Sequence, residues 1–128
     1  MKFAGICLIT PNVPALAYFY TQVLGVKAEG DDEHVELQTE GANIAIFSAK
    51  GMERMAPHSM QGAGSGNVTL AFEIDDVDAE YERLKVFGIE WVMLPTTHPW
   101  GCRSFWFRDP DGNIIDFFTI LPTSDKTC

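Results

Sequence analysis

The side chains able to attack a substrate or hold a metal are few here and scattered. Three histidines, His34, His58 and His98, and three cysteines, Cys7, Cys102 and Cys128, supply the nucleophiles, bases and soft ligands. Cys102 would be a nucleophile if a base lowered its pKa, and His98 stands four positions earlier in a segment able to bring the two together. The plainer reading is a buried small residue after Gly101. The cysteines are odd in number, widely spaced and free of any CxxC pair, which suits reduced thiols. No nucleophile elbow occurs, and Gly62-Ala63-Gly64-Ser65-Gly66 lacks the lysine and the strand-to-helix setting of a phosphate loop.

Charge narrows the partners. Nine basic against eighteen acidic residues give a formal charge of −9, which repels a phosphate backbone and excludes nucleic acid as the expected partner. The same field attracts cations and basic organic molecules, although its commonest role is solubility. No run reaches the roughly 18 apolar residues that cross a bilayer, and Met1 to Thr10 has no basic leader, so a cytoplasmic location without membrane contact is expected. At 128 residues and 46% hydrophobic, the chain suits one domain with a real core.

The elements that must position any site follow from punctuation and periodicity. Phe3 to Thr10 reads as a strand; Asn12 caps a helix with Pro14 in its first turn; Val13, Leu16, Ala17, Tyr20, Val23 and Leu24 form one face, and Gly25 stops it. Strands are expected near Val26 to Glu29, His34 to Thr39 and Asn43 to Ser48. Lys50 to Gly66 reads as a linker or flexible loop. The pattern then recurs: a strand over Val68 to Ile74, an Asp76-capped helix ended by Gly88, and strands near Ile89 to Met93, Arg103 to Arg108 and Asn113 to Ile120. Asn12-Val13 falls on Asp76-Val77, Gly25-Val26 on Gly88-Ile89, and Glu40-Gly41 on Asp111-Gly112, an internal repeat. The expected fold is α+β, with two tandem βαβββ repeats forming a curved mixed sheet around a cleft. Repeat one spans 1–49, the linker 50–66 and repeat two 67–121, with a polar tail over 122–128.

Tyr18-Phe19-Tyr20-Thr21-Gln22-Val23-Leu24-Gly25 and Asp109-Pro110-Asp111-Gly112-Asn113 resemble the FYxxxLG and DPDGN signatures of the vicinal oxygen chelate superfamily. That superfamily includes glyoxalase I, extradiol dioxygenases, fosfomycin-resistance enzymes and bleomycin-resistance proteins. The resemblance covers nearly the whole chain. It implies a cleft formed by two sheets and, in metal-dependent members, a His or Glu ligand from the first and fourth strand of each repeat. The matching positions are Gly5, Ala45, Thr69 and Asp116. Gly5 and Ala45 lack donor atoms and a neutral Thr69 hydroxyl is a poor ligand, so neither metal nor cofactor is expected. A substitute site from His34, His58 and His98 with Asp116 is the weaker alternative. By resemblance, the metal-free branch of the bleomycin-resistance type stays open, while glyoxalase or dioxygenase chemistry would need a Lewis acid.

Strand alternation gathers Ile114, Asp116 and Phe118 on one face, Asn43, Ala45 and Phe47 on another, and adds Cys7 and Ala71. The expected pocket is lined by Phe47, Thr69, Trp100, Phe105, Asp116 and Phe118; which alternate set of Arg103 to Arg108 points inward is left open by counting alone. Asp116 is either a solvated rim residue or an anionic anchor. The expected function is metal-free sequestration of a small aromatic or antibiotic-like ligand, cationic or polar-aromatic, by a homodimer. The rival is a metal-dependent lyase, isomerase or dioxygenase, of lactoylglutathione lyase type, using unmatched ligands.

Overall fold

A computed structural model describes residues 1–122. The chain divides into two compact units, Met1–Gly64 and the residues from Ser65 onward. In the first, β1 (Gly5–Thr10) leads into α1 (Val13–Leu24), then β2 (Ala28–Gly30), β3 (His34–Leu37), β4 (Asn43–Ser48) and α2 (Ala49–Met55). In the second, β5 (Thr69–Glu73) is followed by α3 (Val77–Leu84), β6 (Glu90–His98), β7 (Cys102–Arg108) and β8 (Ile114–Ile120). Each unit is therefore βαβββ, as the repeat implies. The α+β fold of two tandem βαβββ repeats is as expected, its mixed sheet built as two four-stranded sheets ordered β1-β4-β3-β2 and β5-β8-β7-β6. In both, the outer first strand runs parallel to the last and the remaining pairs are antiparallel.

The helices form where their caps dictate. Asn12 Oδ1 accepts from the Ala15 N–H at 3.1 Å, Pro14 sits in the first turn, and Gly25 closes α1 at φ 65° with its N–H on the Thr21 carbonyl. Asp76 Oδ1 caps α3 in the same way through the Ala79 N–H at 3.1 Å. Val13, Leu16, Ala17, Tyr20 and Val23 bury one stripe of α1, which packs on β3 and β4 against Val35, Leu37, Ile44 and Ile46. In the second unit Val77 and Leu84 of α3 meet a sheet face built from Phe105, Phe107, Ile115 and Phe117. Trp91 and Tyr81 close that layer, their ring centres 4.9 Å apart.

Three departures have local causes. The stretch expected as a linker opens with α2, because Ser48 Oγ caps it through the Gly51 N–H at 2.9 Å and Ala-Lys-Gly-Met-Glu-Arg-Met holds mainly strong helix formers. Arg54 at its end is paired with Glu33, and Glu53 Oε2 and Oε1 accept from the His58 and Met60 N–H groups. Second, β6 does not end at Met93 but continues to His98, with register shifts on either side of Met93, the second across Pro95. Third, Cys102 is buried and disulfide-bonded rather than a thiol, while Cys7 is free and exposed. Cys128 and most of the expected polar tail lie outside the described residues. Among the described residues, no helix is long and apolar enough to cross a membrane.

Candidate functional site

The buried helix-side layers define an open face on each sheet, and the ladder register names its residues. Because β7 pairs with β8 as Arg108↔Ile114, Trp106↔Asp116, Ser104↔Phe118 and Cys102↔Ile120, those side chains share the face opposite Phe105, Phe107, Ile115 and Phe117. The parallel partner β5 adds Thr69, Ala71 and Glu73, opposite Ile114, Asp116 and Phe118. The ring contact of Phe72 with Phe117 at 5.8 Å fixes the other β5 set to the helix side. On the first sheet the equivalent open set is Gly5, Cys7, Asn43, Ala45, Phe47, His34 and Glu36.

The second sheet concentrates buried polarity. Ser104 is buried and its Oγ lies 2.8 Å from His98 Nε2, and the His98 ring stacks on Trp100 with centres 4.5 Å apart and planes 6° apart. Asp116 stands directly across from Trp106. Burial pushes its carboxyl above the usual carboxylate range, while the Trp106 indole N–H and the charge of His98 pull part of the way back. The indole N–H thus acts on the carboxylate, but short of full hydrogen-bond geometry. Trp106 Nε1 and Asp116 Oδ1 are both buried with no partner.

The expected site residues divide. Thr69, Asp116 and Phe118 share the open face of the second sheet, with the half-exposed Trp100 beside it through His98. Phe47 lies on the open face of the first sheet, where its ring meets His34 and lies against Gly51 of α2. Phe105 does not belong with them: it is 0% exposed in the helix-side core, its ring 5.5 Å from Phe117 and 5.8 Å from Tyr81. An odd-numbered β7 residue points away from Asp116, so Phe105 as a pocket wall is corrected. Sequence reasoning undervalued Trp106, Ser104 and His98. The signal was available in the Asp109–Asn113 turn, since counting outward from it pairs position 108 with 114 and hence 106 with 116. That turn is rigid: buried Asp109 accepts from the Asp111 and Asn113 N–H groups and from Asn113 Nδ2, each at 2.9 Å.

A Glyoxalase/Bleomycin resistance protein/Dioxygenase superfamily model matches residues 2–117. The chain belongs to this superfamily. Among its relatives, the uncharacterized protein YraH of Bacillus subtilis is 27% identical over 128 residues, covering 94% of this chain and all of that one. A glyoxalase/bleomycin resistance protein/dioxygenase from Nocardioides superposes with a TM-score of 0.80 at 24% identity, covering 100% of this chain and 89% of its own; at that identity the likeness shows the fold. An integron cassette protein from the mobile metagenome of Vibrio cholerae gives a TM-score of 0.73 at 27% identity, covering 93% of this chain and 94% of that one.

The superfamily's metal-ligand positions do not fit a metal here. A Cβ at Gly5 would stand 2.2 Å from the Asn43 carbonyl oxygen, so that position is closed to any ligating side chain, and Ala45 carries no donor. Among the described residues no three His, Cys, Asp or Glu side chains gather closely enough to hold a metal ion, the set of His34, His58, His98 and Asp116 included. The nucleophile reading of Cys102 also fails, because its sulfur is buried in a disulfide and His98 Nε2 is bonded to Ser104 instead.

Proposed function

We propose that this superfamily member is a metal-free binding protein that sequesters a small, flat, aromatic or antibiotic-like compound on the open face of its second sheet. Asp116 is the anchor, Thr69 and Phe118 flank it, and Trp100 offers a ring to stack on. The observation that carries the reading is the buried, unpartnered Asp116 oxygen. A carboxylate so placed is costly until something donates to it, and a polar or cationic ligand does so. A homodimer and a cytoplasmic location belong to the same proposal. Exposed Phe3, Tyr18, Val86 and Leu94 support self-association, whereas the disulfide at Cys102 counts against a reducing compartment.

Elemental analysis of protein purified without chelator tests the metal-free part: close to one zinc, nickel or iron per chain would move the protein to the lyase, isomerase or dioxygenase reading. Titration by tryptophan fluorescence tests the anchor. A planar cation should bind more tightly than a neutral isostere that offers no hydrogen-bond donor, by less than the roughly 4 kcal/mol that a 4 Å contact reaches at an effective dielectric of 20. Asp116→Asn should erase the preference, and moderate salt should leave most of it, because screening acts mainly on the diffuse field of the −9 surface. An Asn variant that keeps the full preference removes Asp116 as anchor.

A further inference from the structure

Two buried atoms on the second sheet's open face lack partners, and their chemistry is opposite. The Trp106 indole N–H only donates, and the ionised Asp116 oxygen only accepts. Cross-strand pairing sets the two side chains next to each other on one face, so a ligand that displaces whatever covers them would meet both along one edge. Their neighbours are already committed, since Ser104 Oγ and His98 Nε2 are bonded to each other at 2.8 Å. What is missing is an acceptor for one atom and a donor for the other, side by side.

That requirement sorts ligands. An ammonium or amidinium group carries only donors, so it satisfies Asp116 and leaves the indole N–H stranded; a carboxylate does the reverse and adds repulsion. A group with N–H and C=O on adjoining atoms completes both. We propose that the open face of the second sheet recognises the N–H/C=O edge of an uncharged planar lactam or carboxamide, the carbonyl accepting from Trp106 Nε1 and the N–H donating to Asp116 Oδ1. This rests on the binding function above and narrows its ligand. The parallel stack of His98 and Trp100 gives the ligand's ring a flat surface to lie against, and His98 is near enough for its charge to act on Asp116.

The test uses the isotope-labelled full chain and three probes: 2-quinolone, its N-methyl derivative, and the N-methylquinolinium cation. The Trp106 indole resonance is assigned by its absence from Trp106→Phe. 2-Quinolone should bind and move that resonance downfield, while the N-methyl derivative, which keeps the ring and carbonyl but not the donor, should bind about tenfold more weakly. Trp106→Phe and Asp116→Leu should each cost 2-quinolone about tenfold, and Asp116→Leu should bring the two quinolones to equal affinity. Because the methylated probe works on the unmodified protein, the outcome does not depend on either variant folding. Equal affinity of the two quinolones for the wild type overturns the inference. So does an indole resonance that no probe moves, the behaviour of a pair closed by trapped water or by a direct bond. Failure of all three probes to bind overturns it too. Tightest binding by N-methylquinolinium, lost in Asp116→Asn, would sink the lactam edge yet leave the binding function standing; stoichiometric metal would sink that function separately.

Discussion

The open faces of the two sheets share one register and handle their carboxylate in opposite ways. Gly5↔Asn43 and Cys7↔Ala45 on the first sheet match Thr69↔Ile114 and Ala71↔Asp116 on the second, and Glu36↔Ala45 matches Trp106↔Asp116. On the first sheet the acid is Glu36, opposite a small alanine. It accepts from Asn43 Nδ2, pairs with His34 at 3.6 Å and stays in contact with solvent. On the second sheet the acid has moved to the neighbouring strand, and an indole occupies the place of Glu36. Trp106 stands across from a half-buried Asp116, and neither Trp106 Nε1 nor Asp116 Oδ1 has a partner of full hydrogen-bond geometry. The same backbone thus carries one face whose polar groups satisfy one another and one that is incomplete without a guest. The size of the cross-strand neighbour, more than the presence of an acid, separates a solvated surface from a site.

If the second sheet divides its labour between a helix side for stability and an open side for binding, truncating matched rings should expose the division. Phe105→Ala, which removes a fully buried ring in contact with Tyr81, Trp91, Phe107 and Phe117, is expected to cost about 3–5 kcal/mol of unfolding free energy. Phe118→Ala, on the partly exposed open face, should cost about 1 kcal/mol and weaken ligand binding instead. Urea unfolding of both variants decides it. Equal losses would mean that the open face is core as well, and the comparison between the faces would break.

The two carboxylates provide a sharper test. Folding raises the pKa of Asp116 through burial, so its ionised form works against the folded state at neutral pH and the penalty lifts as pH falls through the raised value. Asp116→Asn should therefore stabilise the protein at pH 7, by no more than about 1 kcal/mol because solvent screens part of the half-buried group. The gain should shrink as pH falls from the raised value towards the ordinary aspartate value of 3.8 and stay constant below it. Glu36→Gln, which removes only an exposed pair, should change stability by no more than a few tenths of a kcal/mol. Thermal or urea unfolding across pH 3 to 8 measures both. A destabilising Asp116→Asn at neutral pH would show that the carboxylate is already satisfied.

Much of this was legible in the residues, and what was not has definite causes. Caps and stops such as Asn12, Gly25, Asp76 and Gly88 act within a turn of chain, and α1 and the start of α3 fall where they indicate. Strand β4 matches its expected bounds, because the apolar run Ile44-Ala45-Ile46-Phe47 follows closely on the Glu40-Gly41 turn. α2 was hidden because Gly51 and Pro57 read as loop punctuation, while its stabilising partner, Glu33, lies far away in sequence. The full length of β6 was hidden by Pro95, which a bulged edge strand tolerates. Asp116 was recognisable as a lone acid in an apolar strand. Its pairing with Trp106 was readable only by counting outward from the Asp109–Asn113 turn, because composition alone does not say which alternate set of β7 faces it.

The smallest expected effect tests whether the charge of Glu36 is as exposed as the comparison requires. Cys7 occupies the position matched by Ala71, beside Ala45 and across the sheet from Glu36. Although much of the residue is open to solvent, partial enclosure pushes its thiol pKa above 9.0, and the negative charge of Glu36 adds to the shift. The thiolate is the form that reacts, so Cys7 should be alkylated by iodoacetamide more slowly than a solvated cysteine. Glu36→Gln removes only the lesser cause. It should lower the pKa slightly and raise the alkylation rate at pH 7.5 by a factor of about 2, the size expected of one partly screened charge. Added salt should speed the wild type towards the variant and leave the variant nearly unchanged. If Glu36→Gln accelerates the reaction tenfold or more, the Glu36 charge is poorly screened. The first face would then be enclosed like the second, and the contrast between a satisfied surface and an unsatisfied site would no longer hold.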